Sequence, residues 1–280
     1  MKRIITQKIL NDFAAWLGTE EKSRNTIVKY LRDVSAFAFA LGEREITKEA
    51  VISYKQHLTD SGYAVRSVNS SLASLNSLFS FMGWNDCRVK TLKVQRQVFC
   101  PKEKELTKAE YERLCQAAGR KHNKRLELIL QTICGTGIRV SELRFITVEA
   151  VNNGEAQVSL KGKTRTVFIV KALQKKLLRY IAEQKIESGA VFVTVRGNPI
   201  NRSNIWREMK NLCSEADVEP GKVFPHNLRH LFARVFYGIE KDIAKLADIL
   251  GHSSINTTRI YIISSGQEHR RHMERMRLIL

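Results

Sequence analysis

Residues 250–262 read LGHSSINTTRIYI: an apolar helix end, a tight turn of small polar residues, a second helix start, and then one tyrosine, Tyr261. With DIAKLADI at 242–249 in front of it, the stretch has the form of a helix-turn-helix. Its second helix would present Asn256, Thr257, Thr258 and Arg259 to base edges. Read locally, Tyr261 is a packing residue, a base reader or a reagent, and the remainder of the chain has to decide among the three.

That chain has 280 residues and is 43% hydrophobic, enough for two domains with their own cores, and four prolines and fifteen glycines leave no room for long disorder. Its 47 Lys and Arg against 28 Asp and Glu give a net charge of +19. Each phosphate neutralised by a basic side chain releases condensed counterions, so a polyanionic partner is expected. No apolar run approaches the ~20 residues of a membrane span, and the opening MKRIITQKILNDF turns polar too soon for a signal peptide. Five cysteines, Cys87, Cys100, Cys115, Cys134 and Cys213, form no CxxC pair. They read as small buried hydrophobes in a reducing cytoplasm, not as zinc ligands.

Helical periodicity dominates. In NTIVKYLRDVSAFAFAL, residues Ile27, Tyr30, Leu31, Val34, Phe37, Ala38 and Leu41 recur at three and four and form one apolar stripe. Thr47 caps a helix carrying Val51, Tyr54 and Leu58, which Gly62 ends. RSVNSSLASLNSLFSFMGW puts Val68, Leu72, Leu75, Phe79 and Met82 on one face and leaves Arg66, Asn69 and Ser70 for solvent or phosphate. Periodicity then disappears while basic residues accumulate, Arg88, Lys90, Lys93, Arg96, Lys102 and Lys104 among them. The expected organisation is a helical domain over 1–88, a basic linker over 89–105 and a second domain over 106–280.

The second domain opens with Thr107 and Glu110 as a capping box. Two helical runs follow in LELILQTICGTGIRVSELRFI, broken at Gly135 and Gly137, and alternation from Val151 to Val170 predicts a β-hairpin with lysines at its tip. KGKT at 161–164 has the look of a phosphate-binding loop, but Gln157 stands where that motif needs glycine, and β-rich residues follow where it needs a helix. PHNLRH places His226 and Arg229 on one face of a helix whose start the proline favours. Alone, that pair and Arg139 beside Glu142 read as ordinary structural contacts.

In chain order, GTGIRVSEL with Arg139, the hairpin lysine, HNLRH, and LGHSSINTTRIY with His252 nine residues before Tyr261 stand behind a helical domain containing NTIVKYLRDVSAF. Together these elements resemble the tyrosine recombinase (phage integrase) family, its Xer-like members most closely, over nearly the whole chain. The resemblance implies a mainly α fold with a small antiparallel hairpin, in which a helical, SAM-like core-binding domain precedes a mixed α+β catalytic domain with a C-terminal exchange helix. It implies a site-specific DNA recombinase that cleaves and rejoins strands through a 3′-phosphotyrosine intermediate without metal, ATP or other cofactor. The implied partners are double-stranded DNA with an inverted-repeat core site and further copies of the chain, two on one site and four in synapsis, in a cytoplasmic, nucleoid-associated setting.

Carried over residue by residue, Arg139 and Arg229 clamp the non-bridging phosphate oxygens through planar donor forks. His226 is the general base, His252 bonds a phosphate oxygen, and Tyr261 is the nucleophile. The general acid is a hairpin lysine. Counting back from Arg165 favours Lys161, with Lys163 as the alternative, and Phe168 stands where many relatives have proline. Arg66, Asn69, Lys90, Lys93, Arg96, Lys163 and Arg202 are the expected DNA contacts. The pocket so read is cationic and gathers no carboxylates, which disfavours a two-metal nuclease. A helix-turn-helix regulator without cleavage and a type IB topoisomerase-like relaxing enzyme are the alternative readings.

Overall fold

A computed structural model describes residues 3–93, 104–160, 162–194, 196–261 and 274–276. The chain divides into two compact units, Met1–Arg96 and Gln97–Leu280. The first is a helical bundle of α1 (Gln7–Thr19), α2 (Arg24–Leu41), α3 (Lys48–Asp60) and α4 (Val65–Phe81). Thr6, Ser23 and Thr47 each accept a backbone N–H at a helix start, which satisfies donors that have no partner within the helix. The stripes found by periodicity meet in its core, where Val34, Phe37, Leu41, Val51, Val68, Leu72, Leu75 and Phe79 are buried with Phe13 and Leu17.

Residues 89–93 belong to this bundle and not to a free linker. Asn76 and Asn69 on α4 use their amides to pin the chain: Val89 O accepts from Asn76 Nδ2 at 2.9 Å and Leu92 O from Asn69 Nδ2 at 2.8 Å, while Asn69 Oδ1 accepts from Leu92 N at 2.7 Å. Composition marked these residues as basic, but side-chain amides aimed at backbone from another helix leave no compositional trace.

The second unit starts with α5 (Lys108–Arg120), closed by the Thr107–Glu110 capping box, and α6 (Lys124–Thr136). Leu126, Leu128, Ile129, Leu130 and Ile133 bury almost every face of α6, so it is the central rod of the domain. It runs through Gly135 and stops at Gly137, and the second expected helical run is a 3-10 turn, Val140–Phe145. Alternation also overran. Val151 lies in α7 (Val148–Asn153), and the antiparallel hairpin is confined to β1 (Glu155–Leu160) and β2 (Lys163–Phe168), with Val158 opposite Arg165 and Leu160 opposite Lys163. α7 is only six residues long, too short for a helical period to register, and Gly154, in the left-handed conformation, ends it directly before β1.

After the hairpin come α8 (Lys171–Glu183), α9 (Arg202–Lys210), α10 (Cys213–Ala216), α11 (Pro225–Glu240), α12 (Ile243–Leu250) and α13 (Ile255–Arg259). Among the described residues, Cys87, Cys115, Cys134 and Cys213 are free thiols, and burial pushes Cys115 up to about 11 and Cys134 up to about 12. Such thiols are inert packing groups at neutral pH. No described helix is long and apolar enough to cross a membrane.

Candidate active site

The site is assembled where α6, β2, α11 and α12 come together. α6 ends because Gly137 adopts φ +65°, a conformation costly for a side chain, and a Cβ there would meet the Phe232 ring at 2.5 and 2.6 Å. The resulting turn delivers Arg139 to the start of the 3-10 segment. Glu142, only 2% exposed, is held by three donors: Arg139 N at 2.9 Å, Arg139 Nη1 at 2.8 Å and Arg165 Nη2 at 2.6 Å. One buried carboxylate thus orients two guanidinium groups from different elements. Nη1 of Arg165 is buried without a partner among the described residues.

Arg229 is the largest fully buried side chain among the described residues, 1% exposed. Its Nη1 donates to Gly137 O and its Nη2 to Leu250 O at 2.7 Å, so it caps the carbonyl ends of both α6 and α12, where positive charge is favoured. Nη2 also donates to His252 Nε2 at 3.0 Å, and His252 Nδ1 meets Thr258 Oγ1 at 2.8 Å. Nε2 is therefore the acceptor nitrogen and Nδ1 carries the proton. Burial, then repulsion from Arg139, brings Arg229 down to about 10, which leaves it charged at neutral pH; the Tyr261 phenol acts in the opposite direction.

His252 follows Gly251, which ends α12 at φ +64° and whose Cβ would lie 2.5 Å from Arg165 Nε. Burial and then Arg229 lower its imidazole to about 4. His226, on the first turn of α11, is lowered by partial desolvation and then by Arg229, Arg202 and Arg139. His230, one turn further on, is brought down to about 3 by burial and then by His226. Three neutral imidazoles thus lie within an arginine field.

Tyr261 enters this group from the end of α13, 6% exposed. Its ring centroid is 4.2 Å from that of His230, 5.3 Å from that of His252 and 5.4 Å from that of His226. The helix-turn-helix reading of 242–261 loses its recognition helix: α13 has five residues, and Thr258, a would-be base reader, is fully buried against His252.

The structure therefore brings together five of the six catalytic candidates, Arg139, His226, Arg229, His252 and Tyr261. The sixth, Lys161, lies outside the described residues, as do Arg96 and the Lys163 side chain. Arg66, Lys90, Lys93 and Arg202 are exposed and free to meet phosphate. Asn69 is not, because both polar atoms of its amide are spent on Leu92. Sequence reasoning gave no site role to Arg165 or His230, placed Thr258 only among the base readers of a helix-turn-helix, and saw Glu142 only as a salt-bridge partner. The i,i+4 spacing of His226 and His230 was the one available signal, whereas Arg165 reaches Glu142 from 23 residues away.

Such a pocket, made cationic by Arg139, Arg165 and Arg229, suits an oxyanion next to a phenol with an unprotonated imidazole to receive its proton. Comparison with known proteins gives the family. Residues 104–268 match the model of the phage integrase family, and residues 10–85 that of the phage integrase N-terminal SAM-like domain. The chain is 32% identical over 287 residues to tyrosine recombinase XerA of Pyrococcus horikoshii, covering 99% of this chain and 96% of that one. It is similar to the crystal structure of XerA recombinase, with 25% identity, a TM-score of 0.55 and coverage of 99% and 100% of the two chains. The fold is also that of a lambda integrase fragment solved as a dimer on a core site, with a TM-score of 0.75, 17% identity and coverage of 94% and 96%.

Proposed function

The chain belongs to the phage integrase family, the tyrosine recombinases that cut and rejoin DNA strands, and from that membership we propose how its own residues divide the chemistry. Arg139 and Arg229 hold the scissile phosphate between them. Tyr261 Oη attacks phosphorus, its proton passes to His226, the bond from phosphorus to the 5′ oxygen breaks, and a 3′-phosphotyrosyl link forms. Lys161 protonates the departing 5′ oxygen, with Lys163 as the alternative. Religation reverses these transfers, so no nucleotide is consumed. His252, with Nε2 accepting from Arg229 and Nδ1 on Thr258, has no N–H left for the phosphate oxygen expected of it and instead fixes the Arg229 guanidinium.

The observation that carries this reading is the seat of Tyr261: a nearly buried phenol enclosed by His226, His230 and His252 beside a fully buried arginine. A phenol ionises at about 10, so only about one in a thousand is phenolate at neutral pH. His226, lowered below the ordinary imidazole range, is free to accept its proton. General-base help of this kind contributes about 10²–10⁴-fold.

The proposed substrate is duplex DNA with an inverted-repeat core site. It is bound by two copies of the chain, four in synapsis, by analogy with the lambda integrase dimer on its core site and tetramer on a Holliday junction. Association with the nucleoid follows from that substrate. Incubation with a library of nicked duplexes whose core arms are randomised, followed by denaturing electrophoresis, tests the proposal. The parent chain should retain a covalent DNA complex and so reveal its site, and Tyr261→Phe should retain none. An equal yield from Tyr261→Phe overturns the assignment.

A further inference from the structure

α11 presents His226, His230 and Ala233 at i, i+4 and i+7, hence along one stripe. Tyr261 lies on that stripe: Ala233, fully buried, belongs to its hydrophobic cluster with Leu246 and Leu250. Of the three imidazoles around the phenol, His230 alone is stacked on it, at 4.2 Å between centroids with the planes 28° apart. His226 meets the same His230 ring edge-on, at 4.7 Å and 84°. Arg229 and His252 have hydrogen-bonding duties; His230 makes no side-chain hydrogen bond among the described residues. Among the described residues, the backbone holds the phenol through a five-residue α13 and the bond from Tyr261 N to Thr258 O, at 2.9 Å.

We propose that His230 is a positioning residue for strand cleavage: its ring, stacked on Tyr261 and abutting His226, fixes the direction in which the phenol faces the arginine pocket. It acts as a flat surface and not as a base. With burial bringing it down to about 3, it stays unprotonated at neutral pH and adds no charge that would compete with the arginines for phosphate. Offset aromatic pairs at this spacing have a preferred geometry, so one ring restrains the tilt of the other. The proposal rests on Tyr261 being the nucleophile.

The test uses the full chain and a nicked duplex recovered from the covalent trapping above, with DNA affinity and the single-turnover rate of covalent complex formation measured separately. His230→Ala should leave affinity unchanged and slow the chemical step by about 10²-fold, the loss expected when a reacting group is misplaced by about 1 Å. His230→Phe, which keeps a flat ring and removes both nitrogens, should restore most of the rate. Failure of His230→Phe to exceed His230→Ala, or a parental rate in His230→Ala, overturns the proposal. Should His230→Ala not fold, His230→Phe against the parent decides: a folded but slow His230→Phe assigns the nitrogens, not the ring, and overturns it. If Tyr261→Phe itself forms the covalent complex, the nucleophile assignment fails and not the stacking argument.

Discussion

Replacing Glu142 with alanine should unsettle the second unit. Its carboxylate is 2% exposed and accepts from Arg139 twice and from Arg165 once. The Arg139 side chain is 38% exposed, so solvent screening leaves that ion pair about 0–1 kcal/mol. The bond from Arg139 N adds about 1.5 kcal/mol, as a backbone donor to a charged acceptor. Arg165 is the larger contribution. Its side chain is 13% exposed and, among the described residues, its Nη1 lacks a partner and Glu142 is the carboxylate it pairs with, so the Glu142→Ala change leaves that buried charge unbalanced there. Breaking such a pair from one side costs about 3–5 kcal/mol in all.

For a unit of this size each kcal/mol lowers Tm by about 2–4 °C, so calorimetry should show a fall of about 6–20 °C. The first unit's transition, untouched by the change, is the internal reference. Glu142→Gln should fall between parent and alanine variant, because an amide oxygen accepts from one arginine while its NH2 faces the other. A Tm within about 2 °C of the parent for Glu142→Ala would refute the reasoning, since it corresponds to less than about 1 kcal/mol.

Acid should loosen the same unit. His230 and His252 are held unprotonated down to about 3 and about 4, whereas in the unfolded chain they take up protons at about 6.5. The unfolded state therefore binds more protons below that pH, so stability is intact above about 6.5 and declines as pH falls toward the folded values. His252→Asn should flatten the Tm slope between about pH 6.5 and 5, before carboxylates contribute; an unchanged slope would count against the burial argument. In the first unit, Asn69→Ala should cost about 1–3 kcal/mol through the lost Leu92 bonds while the salt dependence of DNA binding stays as it was. Lys90→Ala should do the reverse, sparing stability and lowering the salt slope by about one. Exchange of these two outcomes would show Asn69, not Lys90, to be the phosphate contact.

Periodicity decided most helices without tertiary help. The α2 stripe and the α4 stripe each bury as spaced, and the Thr47 and Thr107 caps act on the N–H groups three residues ahead of them. These interactions are local, so a local pattern records them. Failures occurred where a helix is too short to show its period, as at Val151 in the six-residue α7, or where a glycine stops α6 and the next turn tightens to 3-10, as at Val140–Phe145. The hold on 89–93 went unseen for a third reason: it comes from a pair of asparagines on α4, 13 and 23 residues away.

The sequence by itself pointed to the family, because Arg139, His226, Arg229, His252 and Tyr261 stand in motifs whose order resembles that of the tyrosine recombinases, and the family model matches residues 104–268. Only the tertiary structure decided who supports them. Glu142 between Arg139 and Arg165, Arg229 across the carbonyl ends of α6 and α12, and His230 under Tyr261 are contacts between elements far apart in the chain. Spacing along a chain encodes the period of one element. It does not encode which faces of two elements meet, and the burial that sets the ionisation of the arginine and the three imidazoles exists only once they do.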